Sequence, residues 1–63
     1  MCRATTPAEV EMISAMVRGL VLNDGNLKKA AQYCGYTLPQ ISGNYMLYRL
    51  WEVAKRRYHN AFE

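Results

Sequence analysis

Apolar residues recur at intervals of three and four along most of the chain, the spacing that places them on one face of an α-helix. Thr6, Pro7 and Glu9 have the arrangement of a helix start: a capping threonine, a proline where no N–H is needed, and a glutamate that completes a capping box. Asp24-Gly25 can end this helix, because glycine readily takes a left-handed conformation. These signals predict a first helix over about residues 7–23. Its apolar residues are Val10, Ile13, Met16, Val17, Leu20 and Val21.

Two further helices are predicted after this glycine. One covers about residues 27–34, with Asn26 as its cap and Gly35 as its stop signal. The other begins near Pro39, after the candidate cap Thr37, and keeps helical spacing to about residue 62. The expected fold is therefore a single all-α domain over residues 1–63, with three helices of which the last is long. The apolar positions of that last helix are Leu38, Ile41, Tyr45, Leu47, Tyr48, Leu50, Trp51, Ala54, Tyr58 and Phe62.

The segment between the second and third helices has the pattern of a helix-turn-helix corner. Two helices can cross closely only where the first presents a small side chain, and the turn between them needs a residue that tolerates a positive φ. Ala31 and Gly35, four residues apart, meet these two requirements. Ile41, six residues after the glycine, is placed to return an apolar anchor between the first two helices.

This corner, AAQYCGYTLPQI, resembles the helix-turn-helix motif of bacterial and phage DNA-binding proteins. It is most similar to the corner in the small terminase subunits of tailed phages, in which Gly-Tyr-Ser/Thr follows a helix of small residues. The resemblance extends over about residues 26–50 and implies a helix-turn-helix domain that binds DNA. Asn44 departs from it, since these families usually place an apolar core residue there.

The resemblance also indicates which residues would contact DNA. Lysine side chains and helix caps suit phosphate contacts, which position a protein without reading sequence. The implied contact residues are Lys28, Lys29, Thr37, Gln40, Ser42 and Asn44. The alternative for the two lysines is that they only solubilise an exposed face.

The positions after Thr37 that would face a DNA groove offer few hydrogen-bonding groups for base edges. These positions are Leu38, Pro39, Ser42, Gly43 and Met46. Sequence-specific reading is therefore expected to be poor.

Positive charge is concentrated in the second half of the chain. Residues 1–25 carry two basic and three acidic side chains, a balance of −1, whereas residues 26–62 carry six basic and one acidic, a balance of +5. The densest group is Lys55-Arg56-Arg57, with Arg49 two turns before it. We interpret these four residues as further phosphate-binding candidates. A solvated helix C-terminus also favours positive charge through the helix dipole, which is the alternative interpretation.

The length of the last helix predicts an oligomer. A continuous helix of 24 residues from Pro39 to Phe62 is about 36 Å long at ~1.5 Å per residue, longer than a compact globule of this size. Its projecting end would leave apolar side chains in water unless a second chain covered them. We therefore expect a homodimer or higher oligomer, unless the helix breaks near Arg57 and folds back. The interface would comprise Leu47, Trp51, Ala54, Tyr58 and Phe62.

The composition does not favour an enzyme, a cofactor-binding protein or a membrane protein. His59 is the only histidine, and nothing near it indicates a pocket for nucleophilic catalysis. The chain has no phosphate-cradling glycine loop, and Cys2, Cys34 and His59 lack the spacing of a zinc site. No apolar run approaches the ~20 residues of a membrane span, and no secretory signal is recognisable. We expect a cytoplasmic protein with both cysteines as thiols, located in the bacterial host cell if it is phage-encoded.

The resulting hypothesis is a small helix-turn-helix protein of phage or bacterial type that binds DNA mainly through phosphate contacts. Trp51 and the tyrosines are interpreted as core or interface residues, although stacking on bases is an alternative. A second hypothesis is a small helical phage-type protein that binds and modulates a host or phage protein, with the corner as scaffold only. A third hypothesis is a purely structural oligomer, which would need only the aromatic residues along the last helix.

Overall fold

The computed structural model describes residues 6–62, so Cys2 lies outside the described residues. Within that range the chain forms no strand and four helices. The helices are α1 (Pro7–Leu22), α2 (Leu27–Tyr33), α3 (Leu38–Ser42) and α4 (Tyr45–Phe62). The predicted all-α class is confirmed, but the described range holds four helices where three were predicted.

Helix α1 begins at the predicted capping box. The backbone N–H of Glu9 donates to Thr6 Oγ1 at 3.2 Å, and the backbone N–H of Thr6 donates to Glu9 Oε1 at 3.1 Å. At the other end, the N–H of Gly25 donates to the Leu20 carbonyl at 2.8 Å. Gly25 has a φ of +81°, as predicted for the stop signal, and Asp24 before it has a φ of +53°. The helix therefore ends through two left-handed residues, one of which is not glycine.

The turn between α2 and α3 lies between buried residues of the two helices, while a helix-turn-helix geometry stays a prediction. Ala30 and Ala31 on α2 are completely buried, and Ile41 on α3 is 1% exposed. Gly35 has a φ of +87°. The N–H of Tyr36 donates to the Ala31 carbonyl at 3.0 Å, which closes the turn after α2. The small residue, the glycine and the apolar anchor thus occupy the positions expected from their spacing.

The prediction of one long third helix is wrong, because one helix ends and another begins at Gly43 and Asn44. Helix α3 has only five residues. The N–H of Leu47 donates to Asn44 Oδ1 at 3.1 Å, so Asn44 caps a new helix. Glycine is a poor helix former and asparagine is a good cap, which explains the break. The alternative break near Arg57 is also absent, since α4 continues to Phe62.

Helices α1 and α4 lie side by side and run in the same direction. Arg49 near the start of α4 contacts Glu9 near the start of α1, whereas Tyr58 near the end of α4 lies against Gly25 just after α1. Helix α4 has 18 residues, a length of about 27 Å. The longest dimension of the described chain is 32 Å, so α4 does not project from it as the predicted helix would.

The core is formed mainly by α1 and α4, with α2 and α3 closing it. Its buried residues are Ile13, Met16, Leu20, Ala30, Ala31, Ile41, Leu50, Trp51 and Ala54. Trp51 and Ala54 are 4% and 0% exposed within this single chain. These two residues are covered within the chain itself and so offer little surface to an oligomer interface, which stays a prediction. Leu47 and Tyr58 are partly buried against the same core. Only Phe62 of the five predicted interface residues is well exposed, at 57%, and a dimer stays a prediction.

Helices α1 and α2 approach each other closely at Gly19. A Cβ atom at this position would lie 3.0 Å from the Ala30 carbonyl oxygen and 3.1 Å from Tyr33 Cδ2. Glycine therefore permits this close approach, since a Cβ would require α2 to move by a few tenths of an ångström. None of the helices within residues 6–62 is both long and apolar enough to cross a membrane.

Candidate nucleic-acid interface

Lys28 and Lys29 lie on the exposed face of α2, while Ala30 and Ala31 of the same helix are buried. The backbone N–H of Lys29 donates to Asn26 Oδ1 at 3.0 Å, so the cap of α2 holds this turn in place. Within the described range, neither lysine side chain forms an ion pair. Two ammonium groups are thus presented to solvent beside the corner, on a helix whose opposite face is fixed in the core.

The polar groups at the start of α3 serve the fold. Thr37 Oγ1 accepts the backbone N–H of Gln40 at 3.3 Å, and Gln40 Oε1 accepts the backbone N–H of Thr37 at 2.9 Å. This reciprocal capping box was not recognised from the sequence, although the Thr-x-x-Gln spacing signals it. Both residues are exposed. Their side-chain oxygens hold the capping box, while the hydroxyl of Thr37 and the amide NH₂ of Gln40 are the donors with which they could contact a phosphate.

Two other predicted contact residues lie at the break between α3 and α4. Ser42 and Asn44 are exposed, and the side-chain oxygen of Asn44 is used to cap α4. Of the groove-facing positions, Leu38 instead packs against the core, which corrects that prediction. Met46 is 52% exposed but offers no strong hydrogen-bonding group. The surface around α3 therefore remains poor in groups that can read base edges.

Arg49 makes a contact within the chain that the sequence did not predict. Its Nη2 lies 2.9 Å from Oε2 of Glu9, whose side chain is 7% exposed. The guanidinium is 36% exposed and neutralises a carboxylate that the fold buries. Arg49 is thus committed to joining α1 and α4 and is less available for DNA than the sequence suggested.

The three basic residues near the end of α4 do not form one patch, because successive helical residues point about 100° apart. Lys55 Nζ lies 2.8 Å from Glu52 Oε2, so its charge is compensated. Arg56 lines a shallow depression with Glu52, Lys55 and His59. Arg57 lies on another side of the helix, against residues of α1. The predicted cluster is therefore divided between two sides of α4, with Lys55 and Arg56 on one side and Arg57 on the other.

The aromatic side chains divide between core and surface. Trp51 is in the core, which confirms the core interpretation and removes it as a stacking platform. Tyr58 stacks on Phe62 with ring centroids 5.4 Å apart. Tyr45, at 81% exposure, is the most exposed of the large apolar residues in the described range. Its ring lies in solvent at the start of α4, after the α2–α3 turn.

Cys34 is the cap residue at the end of α2 and packs against the core. Burial raises the pKa of its thiol, because the apolar surroundings disfavour the thiolate. The described residues bring together no three His, Cys, Asp or Glu side chains in an arrangement suited to a metal ion. Cys34 is therefore a structural thiol in residues 6–62 rather than part of a reactive centre.

A scan against protein-family models gave no match, and searches of curated proteins and of solved structures gave none either. The surface at the corner combines two exposed lysines, which form no ion pair within residues 6–62, with few base-reading groups. This combination suits contacts to a phosphate backbone.

Proposed function

We propose that this protein binds DNA through phosphate contacts at the α2–α3 corner, with low sequence specificity, in phage or bacterial DNA transactions. The observation that carries the proposal is the exposure of Lys28 and Lys29, without ion pairs in the described chain, on a helix anchored by the buried Ala30 and Ala31. Two lysines on a helix that is already folded can neutralise neighbouring phosphates without a cost for ordering the helix.

Low specificity follows from what surrounds these lysines. Thr37 and Gln40 use their acceptors in the capping box, and Asn44 uses its oxygen to cap α4. Direct reading of bases needs side chains that are free to form bidentate contacts with base edges. The exposed groups of α3 are better suited to supporting the phosphate contacts of the lysines.

The proposal is tested by gel retardation of random-sequence duplex DNA over a series of salt concentrations. Retardation is expected at low salt and should weaken as salt rises, because phosphate binding releases counterions. Neutralising two phosphate contacts in Lys28→Gln/Lys29→Gln should reduce the magnitude of the log–log salt slope by about 2. The helical circular dichroism signal should not change.

A matched variant, Arg56→Gln/Arg57→Gln, removes the same charge from α4. It should reduce the salt slope less than the lysine variant does. Absence of any retardation of the wild type at low salt would refute DNA binding. The reverse order of the two variants would move the site to α4.

A further inference from the structure

A second surface lies on the far side of α1 from the corner, where α1 and the end of α4 form an open groove of about 400 Å³. This volume falls within the range of about 300–1,000 Å³ that is typical of ligand clefts. The groove is lined by Ser14, Val17, Arg18, Val21, Arg57 and Ala61. It is separate from Lys28, Lys29 and the α2–α3 turn, and the proposed DNA contacts do not use it.

Helix α1 is apolar over a wider arc than its own core requires. Ile13, Met16 and Leu20 fill the core. Val10 and Val21, by contrast, are 44% and 39% exposed. With Val17, which is partly buried against the core, they recur at helical spacing and form an apolar stripe beside the core positions. Val10 and Val21 leave apolar surface in water, and a bound apolar side chain would cover part of it.

Positive charge borders this apolar surface. Arg18 on α1 and Arg57 on α4 both line the groove and are both exposed. In residues 6–62 neither forms an ion pair, unlike Arg49 and Lys55. Guanidinium groups form strong bidentate hydrogen bonds with carboxylates, and they do so best beside an apolar surface that excludes water.

We propose that this groove binds a short acidic segment of a partner protein. Apolar side chains of the segment lie over Val17, Val21 and Ala61, and its carboxylates pair with the two arginines. The α1 residues that line the groove extend from Ser14 to Val21. This stretch is roughly 10 Å long, which matches about two turns of a bound helix.

The charge distribution favours an acidic partner over a second copy of this chain. In a twofold symmetric dimer the same patch meets itself, so Arg18 and Arg57 would face the same two arginines of the other copy. Like charges brought together in an apolar interface are costly. An acidic segment removes this cost and supplies the missing counter-charges.

The proposal is tested by selecting random 12-residue peptides on immobilised wild-type protein, with Arg18→Gln/Arg57→Gln for counter-selection. The recovered peptides should be enriched in Asp and Glu together with large apolar residues. By fluorescence anisotropy, their affinity should fall at least about tenfold in Arg18→Gln/Arg57→Gln, since desolvated charge pairs contribute strongly to affinity. Lys28→Gln/Lys29→Gln, which loses the same charge on α2, should bind the peptides within about twofold of the wild type.

Methyl resonances give an independent readout of the position of the peptide. Signals of Val17, Val21 and Ala61 should shift on peptide addition, while those of Ala30 and Ala31 in the core should not. The inference is overturned if no peptide is enriched, or if the recovered peptides bind Arg18→Gln/Arg57→Gln as tightly as the wild type.

Two other occupants would also overturn the inference. Wild-type dimers in sedimentation that dissociate on Val17→Asp substitution would assign the groove to a second copy. Loss of DNA retardation in Arg18→Gln/Arg57→Gln, with retardation retained in Lys28→Gln/Lys29→Gln, would assign the groove to nucleic acid. Failure of DNA binding alone would leave the peptide results unchanged, so the two proposals are separable.

Discussion

The guanidinium of Arg49 lies 2.9 Å from the buried carboxylate of Glu9, a residue 40 positions earlier in the chain. This ion pair joins the first turn of α1 to the second turn of α4. The same carboxylate accepts the backbone N–H of Thr6 through its other oxygen. One side chain therefore both caps α1 and docks α4 on it.

Arg49→Met should lower the free energy of unfolding by about 2 kcal/mol, because it removes the guanidinium from a buried carboxylate. The cost is smaller than for a fully buried pair, since the guanidinium is 36% exposed. Adding Glu9→Gln to the same chain should restore most of the loss. Urea denaturation monitored by circular dichroism measures the stability of both variants. Equal stability of Arg49→Met and the wild type would show that the ion pair with Glu9 does not stabilise the fold.

Gly19→Ala should destabilise the protein even though alanine is the better helix former. The added methyl would lie 3.0 Å from the Ala30 carbonyl oxygen, which belongs to the backbone and cannot turn away. An overpacking cost of about 1–3 kcal/mol should exceed the helix gain of about 1 kcal/mol. Ser14→Ala, at an exposed position of the same helix, is the control and should leave stability equal or slightly higher. A thermal midpoint that rises for Gly19→Ala would show that α2 can move aside.

The two left-handed turns allow a reciprocal pair of substitutions. Asp24 has a φ of +53°, so Asp24→Gly should stabilise the fold by up to about 1 kcal/mol. Gly35 has a φ of +87°, and an added Cβ would meet open space. Gly35→Ala should therefore lower the free energy of unfolding by about 1 kcal/mol through backbone strain, without a steric clash. Denaturation midpoints should move in opposite directions. A shift in the same direction would argue against the described turn conformations.

The raised pKa of Cys34 makes stability depend on alkaline pH. The folded chain keeps the thiol proton to a higher pH than the unfolded chain, so this contribution is complete below the ordinary value of 9.0 and is lost as pH rises through the folded-state pKa. In a Cys2→Ser background, Cys34→Ala should therefore lose less stability than its parent between neutral and alkaline pH. Alkylation of Cys34 by iodoacetamide should also be slower than that of an exposed cysteine peptide. An equal alkylation rate would place the thiol in water.

The start of α1 and the α2–α3 corner were predictable because their determinants are local. A capping box involves residues three apart, and a glycine in a tight turn imposes its φ on the chain directly. Thr6, Glu9 and Gly35 therefore behave as their immediate neighbours indicate. The break before α4 was also signalled locally by Gly43 and Asn44, but the continuous apolar spacing on either side obscured it.

The candidate surfaces were less predictable, because helical spacing does not show which apolar residues face the core. Trp51 and Phe62 were assigned to one stripe, yet one is buried and the other is 57% exposed. Arg49 appeared to be free until α4 was placed beside Glu9, which is distant in sequence. Arg18 received no role, since only the packing of α1 against α4 brings it to the same groove as Arg57.

Because α1 and α4 pack side by side but are far apart in sequence, the order of their synthesis affects how the chain folds. Helix α1 finds its main packing partner only after the 18 residues of α4, later in the chain, have been made. Until then only α2 and α3 can cover Ile13, Met16 and Leu20, and part of this apolar surface stays open to proteases and chaperones. Folding should therefore occur late and in one cooperative step, with no stable half-folded product.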